Sequence, residues 1–206
     1  MRKIFIILVN NNQQVSELIT NFQIIAPDPL LKNYIERIFV IESSGRLPVN
    51  DLKLIVPNAC AKLVIPFKNG LIGKTEQWES LTRENKIAFI GISDIPASVD
   101  YQKDEAAGNI TVEFNPLGAY RFFDFRWDLV KNKIYDYSEL SQKSTLELEE
   151  KLAHTPMIKE KLGIIQQYLI SRLLKHKSDP VLDFCIEKIT SSKGKISLRD
   201  LEKQTG

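Results

Sequence analysis

The sequence predicts an α+β protein, with an N-terminal antiparallel β-barrel or sandwich followed by a helical module. Three observations carry this. Up to about residue 115, short runs rich in Ile, Val and Phe alternate with turn residues, the pattern of many short antiparallel strands. Beyond it, apolar residues return at spacings of three and four, the period of a helix with one buried face. The pairs Asn115-Pro116, Thr155-Pro156 and Asp179-Pro180 place a capping side chain ahead of a proline, which needs no N–H in a first helical turn.

Residues 1–24 read as an N-terminal extension. Arg2 and Lys3 precede an apolar run at 4–9 that breaks into asparagines. An export signal needs a longer apolar core, and a membrane span needs about 20 apolar residues. A short strand or loosely held terminal segment is expected, in a cytoplasmic protein without membrane contact.

The β-rich domain covers 25–115. Its expected strands are "RIFVIES" (37–43), "LKLIVP" (52–57), "AKLVIPF" (61–67), "KIAFIGI" (86–92) and "NITVEF" (109–114). Pro48, Asn50-Asp51, Asn69-Gly70 and Ala107-Gly108-Asn109 punctuate them.

The helical module covers 116–190. Asn115 is expected to cap a first helix opened by Pro116. A polar run at about 144–153 is expected on the surface. A long helix is expected to be capped by Thr155 and opened by Pro156, and Ile158, Leu162, Ile165, Leu169 and Leu173 form one stripe along it. That stripe can be a dimer seam or the face that covers the β module. Asp179-Pro180 starts a further helix, with Leu182, Cys185, Ile186 and Ile189 on its inner face. After a polar linker at 191–195, residues 196–206 begin another helix. Ser197, followed three residues later by Asp200, is the pattern of a capping box, and Gly206 supplies a turn glycine.

Composition narrows function. With 206 residues, 43% of them hydrophobic and 26% charged, the chain can bury a real core. A net charge of +2 gives no field for a polyanion, so any nucleic-acid-binding part present is small. Cys60 and Cys185 lack metal-type spacing and read as reduced thiols. A metal-dependent barrel enzyme needs two or three histidines and a carboxylate in its β-rich part, yet His154 and His176 both fall in the helical half. No phosphate-cradling glycine loop or Gly-x-Ser-x-Gly elbow is present. No metal, no cofactor and no catalysis are expected.

Four stretches, in order, resemble AraC-type transcription regulators. "ISLRDLEKQTG" resembles the first helix and turn of that family's DNA-binding domain, with Ser197, Leu198, Asp200, Leu201 and Gly206 in matching places and Glu202 where an alanine is usual. "VPNACAKLVIPF" resembles a stretch of one subgroup's N-terminal domain, through Pro57, Cys60 and Leu63. "NITVEFNPLGAYRFF" resembles its later strand and turn, through Val112, Phe114, Pro116, Gly118 and Ala119. "DPLLKNYIERIFVIES" resembles its opening segment. The resemblance implies a bacterial regulator whose N-terminal domain senses an effector or dimerises. Its DNA-reading helix would follow Gly206, so DNA is a partner only through a domain mostly missing from these residues. Ser197, Arg199 and Gly206 then mark the start of that domain. The alternative is a stand-alone small-molecule-binding or dimerisation module without DNA binding.

Lys62 and Glu113 stand where the family has an acid and an arginine, the reversed polarity of a cross-strand ion pair. They are expected to meet on adjacent strands. Asn58, Lys62, Phe67, Glu113, Phe123 and Trp127 are the candidates for an effector pocket, with the aromatics of "FFDFRWD" (122–128) serving either as stacking surfaces or as core. Arg172, Lys175, His176 and Lys177 read as favourable charge at a helix C-terminus, the alternative being phosphate contact.

Overall fold

Alternation along one strand sets the architecture. In Ala107–Phe114 every residue is buried: Ile110, Val112 and Phe114 point to one face, Asn109, Thr111 and Glu113 to the other. A strand covered on both faces has to be central. The computed structural model describes residues 19–44, 54–55, 57–58, 60–76, 78–116, 118–175 and 179–205. The run at 4–9, the turns at Pro48 and Asn50-Asp51, and His176, Lys177 and Gly206 lie outside the described residues.

The strands in chain order are β1 (Ile19–Ile25), β2 (Ile35–Ser43), β3 (Leu54–Ile55), β4 (Lys62–Lys68), β5 (Leu71–Lys74), β6 (Glu79–Thr82), β7 (Ala88–Ile90), β8 (Ala97–Tyr101), β9 (Ala107–Phe114) and β10 (Ile134–Asp136). They form a six-stranded sheet, β1-β2-β9-β4-β7-β10, and a four-stranded sheet, β3-β8-β5-β6. Every pairing is antiparallel. Of the two architectures left open by the sequence, the described strands make the sandwich, with no closed barrel.

The helices are α1 (Ala119–Phe122), α2 (Trp127–Val130), α3 (Tyr137–Leu140), α4 (Gln142–Ala153), α5 (Ile158–Lys175), α6 (Pro180–Ser191) and α7 (Leu198–Thr205). The helices α1 to α5 share one core with the outer face of the six-stranded sheet. Ile38, Leu63, Ile65, Phe89, Ile110 and Val112 from the strands meet Phe122, Leu148, Leu152, Leu162, Ile165 and Leu169 from the helices. Phe123 stands edge-on to Phe89 and Phe114, each at 5.2 Å, and edge-on to Tyr137 at 5.6 Å. Each such ring contributes about 1.5–3 kcal/mol by leaving water. A smaller cluster, Val64, Ala88, Ile90, Ala107, Ile134, Leu71 and Tyr101, lies between the two sheets.

Several helical details differ from the sequence reading. Asn115 does not cap α1. Its side-chain amide donates to the Asn33 carbonyl at 2.8 Å, and the helix begins after Gly118. A Cβ on Gly118 would lie 1.8 Å from the Tyr34 backbone oxygen, so the close approach of two chain segments requires glycine there. Thr155 does not cap α5. Its hydroxyl donates back to Lys151 O at 2.8 Å, closing α4, while the Met157 carbonyl accepts the first amides of α5. The polar run lies at the surface as expected, with Leu146, Glu147, Glu150 and Lys151 exposed, but its other side is buried through Thr145, Leu148, Glu149 and Leu152 of α4. Glu149 accepts from the Ile87 amide at 3.0 Å and from Lys86 at 2.8 Å, and so ties α4 to the start of β7. Within 116–190, β10 adds a strand to the sheet.

Asp179 caps α6 as expected, accepting from the amides of Val181 and Leu182 at 3.0 and 3.1 Å. The expected inner face of α6 is not buried, however, and Leu182 and Ile189 are exposed. On α7 the Asp200 amide donates to Ser197 Oγ at 3.1 Å, the first half of the capping box. The Asp200 carboxylate accepts the Ser197 hydroxyl at 2.6 Å.

Candidate functional site

The inner face of the six-stranded sheet carries polar residues where a sandwich would ordinarily hold apolar ones. On β9 the residues at alternate positions, Asn109, Thr111 and Glu113, form a row facing the four-stranded sheet. Tyr101 of β8 donates to Asn109 Oδ1 at 3.1 Å, and Asn109 Nδ2 donates to Thr111 Oγ1 at 3.0 Å. Burial pushes the Tyr101 hydroxyl up to about 12.

Glu113 ends this row and anchors an ion cluster. Lys62 of β4 is its direct cross-strand partner, with Nζ 3.4 Å from Oε1. Arg37 of β2 is its partner on the other side and forms a second ion pair with it. The Asn58 amide also donates to the same carboxylate. Lys62 Nζ donates in turn to Asn58 Oδ1 and to the Cys60 carbonyl, both at 3.0 Å. Glu113 is 3% exposed and Lys62 8%, whereas the Arg37 side chain keeps 24% of its surface in solvent. Two cations share one carboxylate, and the arginine is the one a ligand can reach.

A bulge places Arg37. Ile35 pairs with Phe114 and Arg37 with Glu113, so Glu36 is an extra residue in β2. Without it, Ile35 and Arg37 would share a face. With it, Ile35 enters the helix-facing core and Arg37 turns to the face that carries Glu113. The Cys60 thiol sits beside this cluster. Burial, followed by the negative charge of Glu113, pushes it up to about 11, which leaves it protonated and unreactive at neutral pH.

Lys62 and Glu113 therefore meet as expected, and Asn58 joins them. Phe67 and Phe123 do not. Both lie in the core on the opposite face of the sheet, and Trp127 packs on that same core against Phe89 and Phe125. Phe67 follows Pro66, which opposes Asn109 on the inner face, so alternation turns its ring to the helices. The stripe on α5 is likewise committed within the chain: Leu162, Ile165 and Leu169 are buried and Ile158 and Leu173 are packed against that core, not left free as a dimer seam. Ser197 and Arg199 are exposed. Arg172 donates to the Phe122 carbonyl at 2.9 Å instead of offering its charge outward. Arg37, Tyr101, Asn109 and Thr111 were missed by the sequence reading. The polar alternation within "NITVEF" was a legible signal for the last two.

Among the described residues, no group of three or more His, Cys, Asp or Glu side chains could hold a metal ion. No described helix is long and apolar enough to cross a membrane.

Comparison with solved structures finds only remote similarity, as in three examples. The cupin domain of Schizosaccharomyces pombe Cnp3 is 8% identical over 47% of this chain and 67% of its own, with a TM-score of 0.36. The cupin domain of an XRE-family transcriptional regulator from Enterobacter cloacae is 13% identical over 47% of this chain and 96% of its own, at 0.36. Hydroxypropylphosphonic acid epoxidase from S. wedmorenis is 13% identical over 45% of this chain and 49% of its own, about half its length, at 0.36. No curated protein matches the sequence. One family model does, over residues 23–136, from within β1 to the last residue of β10 and so across the ion cluster and the polar row of β9. The matched stretch is more than half of the chain, which therefore belongs to the family described as "Domain of unknown function (DUF6597)".

Proposed function

We propose that this chain is the regulatory part of a cytoplasmic AraC-type DNA-binding regulator, and that it binds a small anionic effector in the cleft between its two sheets. The carrying observation is the buried cluster of Arg37, Lys62 and Glu113 at the end of the Asn109–Thr111 polar row. A buried ion cluster is a poor way to stabilise a sandwich, because apolar residues of similar volume would do as well or better. Its use lies in recognition. Two cations against one carboxylate leave positive charge for a ligand carboxylate or phosphate, and Arg37 presents a planar fork of donors to it. The neighbouring thiol, held protonated, favours binding over nucleophilic catalysis.

The resemblance of the terminal segment supports the DNA-binding half of this reading and the homodimer. The capped helix α7 with exposed Ser197 and Arg199 is compatible with the start of a helix-turn-helix. An effector at Glu113 would act through β4, β7 and the Glu149 contact on α4, shifting the balance between two arrangements of sheet and helices.

The test is a mobility-shift assay with the full gene product on DNA upstream of its own gene, with and without a panel of small organic acids. The expected result is sequence-specific binding that one of the acids changes, with Arg37→Gln binding DNA but losing the response. If no sequence-specific DNA binding is found, the stand-alone binding module replaces this reading.

A further inference from the structure

A concave site lies at the seam between the sheet and the α4–α5 hairpin, with a volume of about 270 Å3. It shares no residue with the ion cluster. Phe67, Pro156 and Ile158 give it an apolar wall, and four charged residues line it. Two of these neutralise each other: Lys68 Nζ is 2.9 Å from Glu42 Oε1.

Among the described residues, neither of the other two charges, Lys161 and Glu84, has an ion-pair partner. Lys161 of α5 is 5% exposed, and its ammonium donates to the Leu152 carbonyl at the end of α4. An ammonium has three donors, and among the described residues no other hydrogen bond and no ion pair takes the remaining two. Burial lowers its pKa from the usual lysine value, and the field of Glu84 opposes that shift. Glu84 accepts from the Asn69 amide at 3.1 Å through one oxygen, and among the described residues no cation is within ion-pair distance of it. A simple carboxylate ligand would satisfy Lys161 but be repelled by Glu84, and a simple amine would be repelled by Lys161. A ligand carrying both charges meets neither penalty. The groove is smaller than pockets for drug-sized molecules, so the ligand is small.

We propose that this groove binds an α-amino acid with an apolar side chain, its carboxylate on Lys161, its ammonium on Glu84 and its side chain against Phe67 and Ile158. Such a ligand would bridge the sheet, through Phe67 and Glu84, to α5, through Lys161 and Ile158. This is independent of the effector cleft.

The experiment is calorimetric titration of the whole chain with three probes: L-leucine, 4-methylpentanoate (leucine without its ammonium) and 3-methylbutylamine (leucine without its carboxylate). Leucine is expected to bind, and each truncated analogue to bind at least about 10-fold more weakly, the loss of one charge-assisted contact. Glu84→Gln keeps the acceptor for Asn69. It should weaken leucine by about 10-fold and tighten 4-methylpentanoate. Lys161→Met should abolish leucine binding. If that variant fails to fold, as judged by circular dichroism, the exposed Glu84→Gln site carries the test alone. Arg37→Gln should leave leucine binding unchanged. The proposal is overturned if leucine gives no heat at about 10 mM, if Glu84→Gln binds it as wild type does, or if Arg37→Gln abolishes binding.

Discussion

Removing the charge of Glu113 while keeping its shape, as Glu113→Gln, isolates the ion cluster. The side chain is 4% exposed, facing Lys62 at 10% and Arg37 at 24%. Breaking a buried pair by removing one partner costs about 3–5 kcal/mol, because the other charge stays buried without compensation. Here the loss is softened twice. Lys62 keeps its bonds to Asn58 Oδ1 and the Cys60 carbonyl, and Arg37 turns towards solvent. The expected cost is therefore about 2–3 kcal/mol. For a chain of this size that lowers the melting midpoint by roughly 5–10 °C. Thermal and urea melts measure it. Exchanging the polarity, with Lys62→Glu and Glu113→Arg, should not restore stability, because Arg37 would then oppose the introduced guanidinium. A Glu113→Gln protein melting within about 1 °C of wild type would show that the cluster holds no buried charge in balance.

Other expectations are equally direct. Glu149→Leu leaves the Ile87 amide without its acceptor and should cost about 1–3 kcal/mol, with faster hydrogen exchange at that amide. Gly118→Ala should destabilise by about 1–3 kcal/mol, because the added Cβ would meet Tyr34 O and force two segments apart. Cys60 should alkylate about 100-fold more slowly at pH 8 than an ordinary thiol, since its value rises from 9.0 to about 11; mass spectrometry after iodoacetamide treatment reads this. The folded state holds that thiol proton more tightly than the unfolded state. The associated stabilisation is thus complete below about pH 9 and is lost as pH rises to about 11, a window that alkaline urea melts of wild type against Cys60→Ala resolve.

The central strands of the fold were legible because they bury Ile, Val and Phe on short runs bounded by turns; "AKLVIPF" and "NITVEF" are β4 and β9 to within a residue or two. Among the strands not expected, β5, β6, β8 and β10 are short and carry Gly, Ser, Thr or Asp, so pairing and not propensity decides them, while β1 falls almost wholly in the stretch read as an N-terminal extension and joins the sheet by pairing with β2. Which side of the surface helix α4 faces inward was not legible for a similar reason. Its buried face includes Glu149, a charge that tertiary contact satisfies and that no periodicity of apolar residues can show. Lys62 and Glu113 could be paired from two compensating departures within a resemblance. Arg37 could not, because only the bulge at Glu36 turns it to the face that carries Glu113. Phe123 takes the core alternative that the sequence left open for the aromatics of 122–128, and Phe67 turns to the helices because aromatic character says nothing about which face of a sheet a residue takes.

Ligand occupancy of the space between the sheets is measured most directly by methyl NMR of the folded chain titrated with a panel of mono- and dicarboxylic acids. Shifts confined to Val64, Ala88 and Ile90, absent from Leu162 and Leu169 and lost in Arg37→Gln, are the predicted result. Shifts that spare the cleft, or that persist unchanged in Arg37→Gln, would contradict an anion site at the Arg37–Lys62–Glu113 cluster.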